Sequence, residues 1–184
     1  MAAEPITYLL VDGENIDWAL GGIFERKPDP HERPRWQQIV EFAEAEWGQP
    51  VRALFFINAS RGLHAPFVQA LMAMRYRPIP LAGRGDQKVV DIAIQRTLAA
   101  LRDRAGDVLL ASHDADFASD MSVLAGNEDR RVGLLVFSEL VGQGLRDVPG
   151  IEIYDLEDHA RAFDVELPRV RVIPLDDFDP NRFL

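Results

Sequence analysis

The sequence predicts one α/β domain, a Rossmann-like three-layer sandwich with a mainly parallel sheet. Two observations carry this. Short apolar runs alternate with longer amphipathic segments along most of the chain, as in successive βαβ units. The 184 residues, 47% of them hydrophobic, are enough for one sizeable core and leave little room for a second.

Taken in order, the apolar runs ITYLLV, VRALFFI, PIPL, VLLA, VGLLVF and IEIY predict strands at residues 6–11, 51–57, 78–81, 108–111, 132–137 and 151–154. The segments between them predict helices at 15–24, 36–47, 65–76, 88–104 and 117–125, with a short one at 140–146. Residues 26–35, RKPDPHERPR, carry three prolines and read as an extended loop. Residues 1–168 are expected to form the domain. Residues 169–184 form a tail without helical period, whose apolar side chains predict docking on this domain or on a partner subunit. A homo-oligomer is therefore one of the expected arrangements. No internal repeat or low-complexity tract interrupts this order.

No stretch approaches the roughly 20 apolar residues of a membrane span, and no basic segment precedes the first apolar run. A cytoplasmic protein without a membrane partner is expected. The absence of cysteine excludes thiolate metal sites, so any metal must sit on oxygen or imidazole ligands, which favours Mg²⁺ or Mn²⁺. The four histidines show no HxxxH spacing. A formal charge of −10 argues against a general nucleic-acid coat. The distribution softens that objection: residues 155–184 hold eight acids and four arginines, a net of −4, leaving −6 for residues 1–154.

In a doubly wound sheet, function collects beyond the carboxyl ends of the strands, and there the acids gather. The first strand runs into Asp12-Gly13-Glu14-Asn15, and the fourth runs into Ser112-His113-Asp114-Ala115-Asp116-Phe117. Asp12, Asn15, Asp114 and Asp116 each have a plain reading as helix N-caps, but one cap per helix is enough and the acids exceed it. Glu14 and Asp17 read as solvated helix residues. Asp91 lies three and seven residues before Ile94 and Leu98, on the buried stripe of its helix and one turn nearer the start, with Asp86 as the expected N-cap. Carboxylates brought together repel unless some are protonated or a cation neutralises them. Asp12, Asp91, Asp114 and Asp116 are therefore the expected metal ligands and catalytic residues. Two hard cations about 3.5 to 4 Å apart on such a cluster suit phosphodiester cleavage.

The three motifs Asp12-Gly13-Glu14-Asn15-Ile16, Lys88-Val89-Val90-Asp91 and Ser112-His113-Asp114-Ala115-Asp116-Phe117, in that order, resemble the NYN domain of the PIN-like nuclease superfamily over about residues 6 to 156. The resemblance implies a metal-dependent nuclease, most directly an endoribonuclease with RNA as partner, and it implies that Asn15 and Ser112 are polar supports of the acidic pocket. The chain departs from the family at His113, where a small residue such as glycine is usual. His113 reads as a packing or hydrogen-bonding residue rather than a general base. Lys88, one of only two lysines, is expected to contact the scissile phosphate.

Arg61 and Arg84, with Arg75 and Arg77, and the loop's Arg26, Lys27, Arg33 and Arg35 are expected to track the phosphate backbone. Trp18 and Trp36 read as core or partly buried. Two other functions compete. A phosphohydrolase of the haloacid-dehalogenase kind wants an Asp-x-Asp pair after the first strand, which Asp12-Gly13-Glu14 does not provide. A non-catalytic RNA-binding or scaffolding protein of the same fold would use the pocket only structurally.

Overall fold

The computed structural model describes residues 5–184. Its elements are β1 (Thr7–Asp12), α1 (Gly13–Phe24), α2 (Trp36–Trp47), β2 (Val51–Asn58), α3 (Ala65–Ala73), β3 (Tyr76–Leu81), α4 (Val89–Leu101), β4 (Asp107–Ala111), α5 (Ala118–Ala125), β5 (Val132–Val136), α6 (Gln143–Arg146) and β6 (Glu152–Asp155). The six strands form one parallel sheet in the order β3-β2-β1-β4-β5-β6. The chain is thus a Rossmann-like three-layer α/β sandwich. Among the described residues, no helix is long and apolar enough to cross a membrane.

The central strands are buried on both faces, which is why they read as continuous apolar runs. Leu9 and Val11 of β1 face a core with Ile16, Ile39, Phe55 and Phe137, while Tyr8 and Leu10 face another with Phe56, Ile94, Leu98 and Phe117. Helices α1, α2 and α3 cover the first face; α4, α5 and α6 cover the second. β3 lies at the sheet edge, and there Pro78 and Pro80 are tolerated because an edge strand has one side without ladder partners. Tyr76, expected to end α3, instead opens β3. Arg75 before it adopts φ 67°, a left-handed conformation that stops the helix.

The loop at 26–35 is more ordered than its prolines suggest. Pro30–Glu32 form a 3-10 turn, and the buried Glu32 carboxylate accepts from both terminal nitrogens of Arg26, at 2.8 and 2.6 Å, and from the Asp29 N–H at 2.7 Å.

At the other end, Arg169 is sealed in, its side chain 1% exposed. Its Nε donates to Glu139 Oε1 at 2.7 Å, and its Nη1 donates to Asp155 Oδ1 at 2.7 Å and to Glu157 Oε1 at 3.1 Å. Arg171 pairs with Asp158. Val170 between these arginines, and Val172, Ile173, Phe178, Phe183 and Leu184 beyond them, are exposed. Residue 169 is therefore held by charge, and the apolar side chains of the tail are not buried on this chain.

Candidate active site

The strand order reverses between β1 and β4, the place where doubly wound sheets carry their sites, beyond the carboxyl ends of the strands. Val11 is in register with Ala111, so the next residues, Asp12 and Ser112, meet at the switch point. Asp12 is 3% exposed. Its Oδ1 accepts from the Asn15 N–H at 3.2 Å, and its Oδ2 accepts from the Ser112 hydroxyl at 3.1 Å. The first bond is the N-cap of α1. Capping alone does not account for the electrostatics. Burial pushes the Asp12 carboxyl up to about 6; the bonds from Asn15 and Ser112 oppose this, while the neighbouring charges of Asp91 and Glu14 add to it. Among the described residues, no Lys or Arg forms an ion pair with Asp12, and Lys88 is paired with Asp91.

Asp91 sits in the first turn of α4, about a quarter exposed, with Lys88 Nζ 3.6 Å from its Oδ2. Lys88 itself occupies the N-cap position and is mostly exposed. The expected cap, Asp86, does not fill that role; it is exposed and lines a polar cleft with Glu14, Asn58, Ser60 and Arg61. Arg84 is exposed on the same β3–α4 loop, its N–H on Gln87 Oε1.

Ser112 is fully buried and links two acids, since its oxygen also accepts from the Asp114 N–H at 3.2 Å. Asp114 is half-buried, and its Oδ1 caps the following 3-10 turn by accepting from the Asp116 N–H at 2.9 Å. Asp116 lies outermost, exposed. The structure thus brings Asp12, Asp91 and the exposed Glu14 within electrostatic reach, joins Asp114 to Asp12 through Ser112, and leaves Asp116 at the rim. Among the described residues, no three His, Asp or Glu side chains are grouped tightly enough to hold a metal ion by themselves.

Asn15 and His113 fix the two strand ends to each other. Asn15 Oδ1 accepts from the His113 backbone N–H at 2.8 Å and lies 3.0 Å from His113 Nδ1. The Phe137 N–H donates to His113 Nε2 at 2.8 Å. A nitrogen that accepts carries no proton, so the neutral ring holds its proton on Nδ1 and donates it to Asn15. Burial lowers the His113 pKa to about 4, with Arg169 adding to the effect and Glu139 and Asp155 opposing it. His113 is a positioning residue with no proton to exchange near neutrality. Its ring stacks on Phe137, and the Arg169 guanidinium lies 4.8 Å from the Phe137 ring centroid. The residue that anchors the tail therefore also supports the loop holding Ser112 and Asp114.

Several basic side chains are already engaged. Arg26, Arg33, Arg35 and Arg75 pair with Glu32, Asp17, Asp164 and Glu44, so most of the loop's charge is unavailable to a phosphate chain. Asp17, expected to be solvated, is half-buried, and burial raises its pKa while Arg33 opposes the rise. Trp36 is buried as expected, whereas Trp18 is 75% exposed.

Gly13 explains part of the first motif. A Cβ there would stand 2.6 Å from the Phe55 ring. Gly13→Ala is expected to displace that ring and destabilise the protein by about 1–3 kcal/mol, as overpacking does; a urea titration unchanged from wild type would show that the ring has room.

No family model matches the sequence, nor does any curated protein. Among solved structures, the fold is similar to a crystal structure of a protein of unknown function from Vibrio parahaemolyticus, with a TM-score of 0.68 and 18% identity over 86% of this chain and 97% of that one. At that identity the likeness shows the α/β fold alone.

Proposed function

We propose that this chain is a metal-dependent nuclease, an endoribonuclease that hydrolyses RNA phosphodiesters. One observation carries the reading: a buried carboxylate at the switch point, on which the charges of Asp91 and Glu14 act and which, among the described residues, has no ion pair of its own. Such a group is expensive to keep charged, and a divalent cation removes the expense. The lack of a tight three-acid group is compatible with this, because Mg²⁺ keeps several waters and takes one or two carboxylates together with substrate phosphates. Asp12 and Asp91 would hold the cation, with Asp114 and Asp116 towards the rim. The chemistry supplied by Mg²⁺ or Mn²⁺ at such a site is Lewis-acid assistance to phosphodiester hydrolysis.

The chain's own residues divide the remaining work. Ser112 and the Asn15 N–H orient the Asp12 carboxylate. Lys88 reaches over Asp91 and would meet the scissile phosphate as a point charge. Arg61, in the adjoining polar cleft, would hold a neighbouring phosphate. A non-catalytic RNA-binding or scaffolding role is favoured by one observation, the absence of three acids close enough to cage a metal unaided among the described residues.

Incubating the protein with structured and unstructured RNA, with and without Mn²⁺, separates the two. Cleavage that requires Mn²⁺ and stops on chelation is the expected result; RNA that binds and stays intact would leave only the non-catalytic role. Lys88→Ala is expected to slow cleavage by about tenfold or more, the worth of one charge-assisted contact, while changing Mn²⁺ affinity much less. Unchanged turnover would reduce Lys88 to a surface residue.

A further inference from the structure

The chain carries two exposed surfaces that complement each other. The first is the tail. Residues 172–184 hold Asp176, Asp177 and Asp179 against Arg182, a net of −2. Their apolar side chains face solvent: Val172 and Leu175 are almost fully exposed, and Phe178 and Phe183 are at least half exposed although their rings stack at 5.7 Å. Two 3-10 turns, Leu175–Asp177 and Pro180–Arg182, the second capped by Asp179, fold the segment so that those rings meet. The result is a preformed apolar knob with an acidic rim. Exposed apolar groups gathered inside a polar rim mark interaction sites.

The second is a cleft of about 470 Å³ on the α4 side of the sheet, beside the β3 edge. Arg52 and Leu54 of β2, and Arg77 and Ile79 of β3, alternate onto that side. The end of α4 forms the wall, and Arg104 lines the cleft from beyond it. Because α4 packs chiefly against β1 and β2, Leu54 and Ile79 stay partly exposed as an apolar floor. Among the described residues, none of the three exposed arginines pairs with a carboxylate, whereas Arg35, Arg75, Arg102 and Arg131 each do. Residues 51–85 hold five arginines and no Asp or Glu, in a chain of net charge −10. Unpaired positive charge around an apolar floor calls for an occupant that is acidic and apolar.

We propose that the tail of a second copy of this chain docks in the cleft, with Phe178 and Phe183 on Leu54 and Ile79 and the three aspartates facing Arg52, Arg77 and Arg104. A chain's own tail is badly placed for this. It leaves at Arg171, which is held by Asp158 just past β6, and β6 and β3 are opposite edges of the sheet, five strand spacings or about 24 Å apart. Reciprocal exchange about a twofold axis closes the pair without leaving a tail free. Pro78 and Pro80 make β3 a poor template for strand addition, so side chains rather than backbone hold the partner. The cleft lies at the amino ends of the strands, away from Asp12, and the inference does not rest on the nuclease reading.

The test is sedimentation velocity on the full chain at low and high salt. Wild type is expected to form a dimer that salt weakens. Two charge-reversed proteins, Arg52→Glu/Arg77→Glu and Asp176→Arg/Asp177→Arg, should each raise the dissociation constant about tenfold or more. An equimolar mixture of the two should dimerise again, because the acidic cleft of one then meets the basic tail of the other, and the basic cleft meets the acidic tail. All four positions are exposed, so the fold should survive. Phe178→Ser/Phe183→Ser, which alters no charge, should also dissociate the pair and serves if a charge-reversed protein fails to fold. A wild type that stays monomeric at high micromolar concentration would overturn the proposal, as would a dimer that either charge-reversed protein keeps, or two dissociated variants that stay apart when mixed. Single-stranded RNA that binds a monomeric wild type and not Arg52→Glu/Arg77→Glu would give the cleft to nucleic acid instead.

Discussion

Replacing Arg169 with methionine is expected to lower the free energy of unfolding by about 3–5 kcal/mol, the usual consequence of removing one partner from a buried ion pair. The guanidinium is enclosed by Glu139, Asp155 and Glu157, so methionine keeps the volume and leaves the carboxylates facing one another. Asp155, 2% exposed, is the decisive partner. Burial would push its carboxyl up, but Arg169 and the N–H groups of Ser138 and Asp158 outweigh that and hold it far below the ordinary range. A carboxyl depressed in the folded state contributes stability that is present above its unfolded value near pH 4 and is lost as pH falls through the folded value. The variant should therefore also unfold at a higher pH during acid titration. Because Arg169 supports Phe137, and Phe137 bonds His113, the loop at 112–116 should loosen as well. A loss below about 1 kcal/mol in urea at neutral pH would show that the cluster is solvated in solution.

Asp12→Asn should have the opposite sign. The folded-state pKa of Asp12, about 6, lies above its ordinary 3.8. Its contribution is complete below about pH 4 and is lost as pH rises through about 6, so the ionised form costs the metal-free protein about 3 kcal/mol at neutrality. Asparagine removes that cost and gives up part of a hydrogen bond worth about 1 kcal/mol. The variant should be more stable than wild type by about 2 kcal/mol at pH 7.5 in chelator, and the advantage should vanish at pH 4. His113, with its depressed pKa of about 4, contributes with the reverse slope. Its stabilisation is present above about pH 6.5 and lost as pH falls through about 4, so the variant's profile should show it more plainly. A destabilised Asp12→Asn at pH 7.5 would mean that helix capping is the residue's main role.

Much of the fold was legible because its signals are local. Each predicted strand and helix has its counterpart, since β1 and β4 carry unbroken apolar runs and α2 repeats its buried residues at Trp36, Ile39, Val40, Ala43 and Trp47. Trp18 is exposed rather than core, and the sequence carries the signal for it: Ile16, Ala19, Leu20 and Ile23 define the inward stripe of α1, and position 18 falls opposite it. At the switch point, Asp12 and Ser112 are legible because each stands at the carboxyl end of an apolar run, Asp12 as the last residue of β1 and Ser112 just after β4. Glu14 is the solvated first-turn residue that its place in α1 predicts, and its effect on Asp12 depends on the fold. The pairing of Arg169 with Asp155 and Glu139, and of Asp17 with Arg33, joins side chains well apart in sequence with no periodic mark, so only the folded chain displays them. Gly13 is explained by the Phe55 ring, contributed by a strand about forty residues away.

The central claim, that the buried Asp12 carboxylate is kept for a divalent cation, is tested most directly by calorimetric titration with Mn²⁺ at about pH 5.5 in two buffers of different ionisation enthalpy. At that pH most Asp12 carboxyls are protonated, and binding must expel the proton. The account predicts saturable binding to wild type with a heat that depends on the buffer, and loss of both in Asp12→Asn. Identical weak, buffer-independent heats for the two proteins would contradict it.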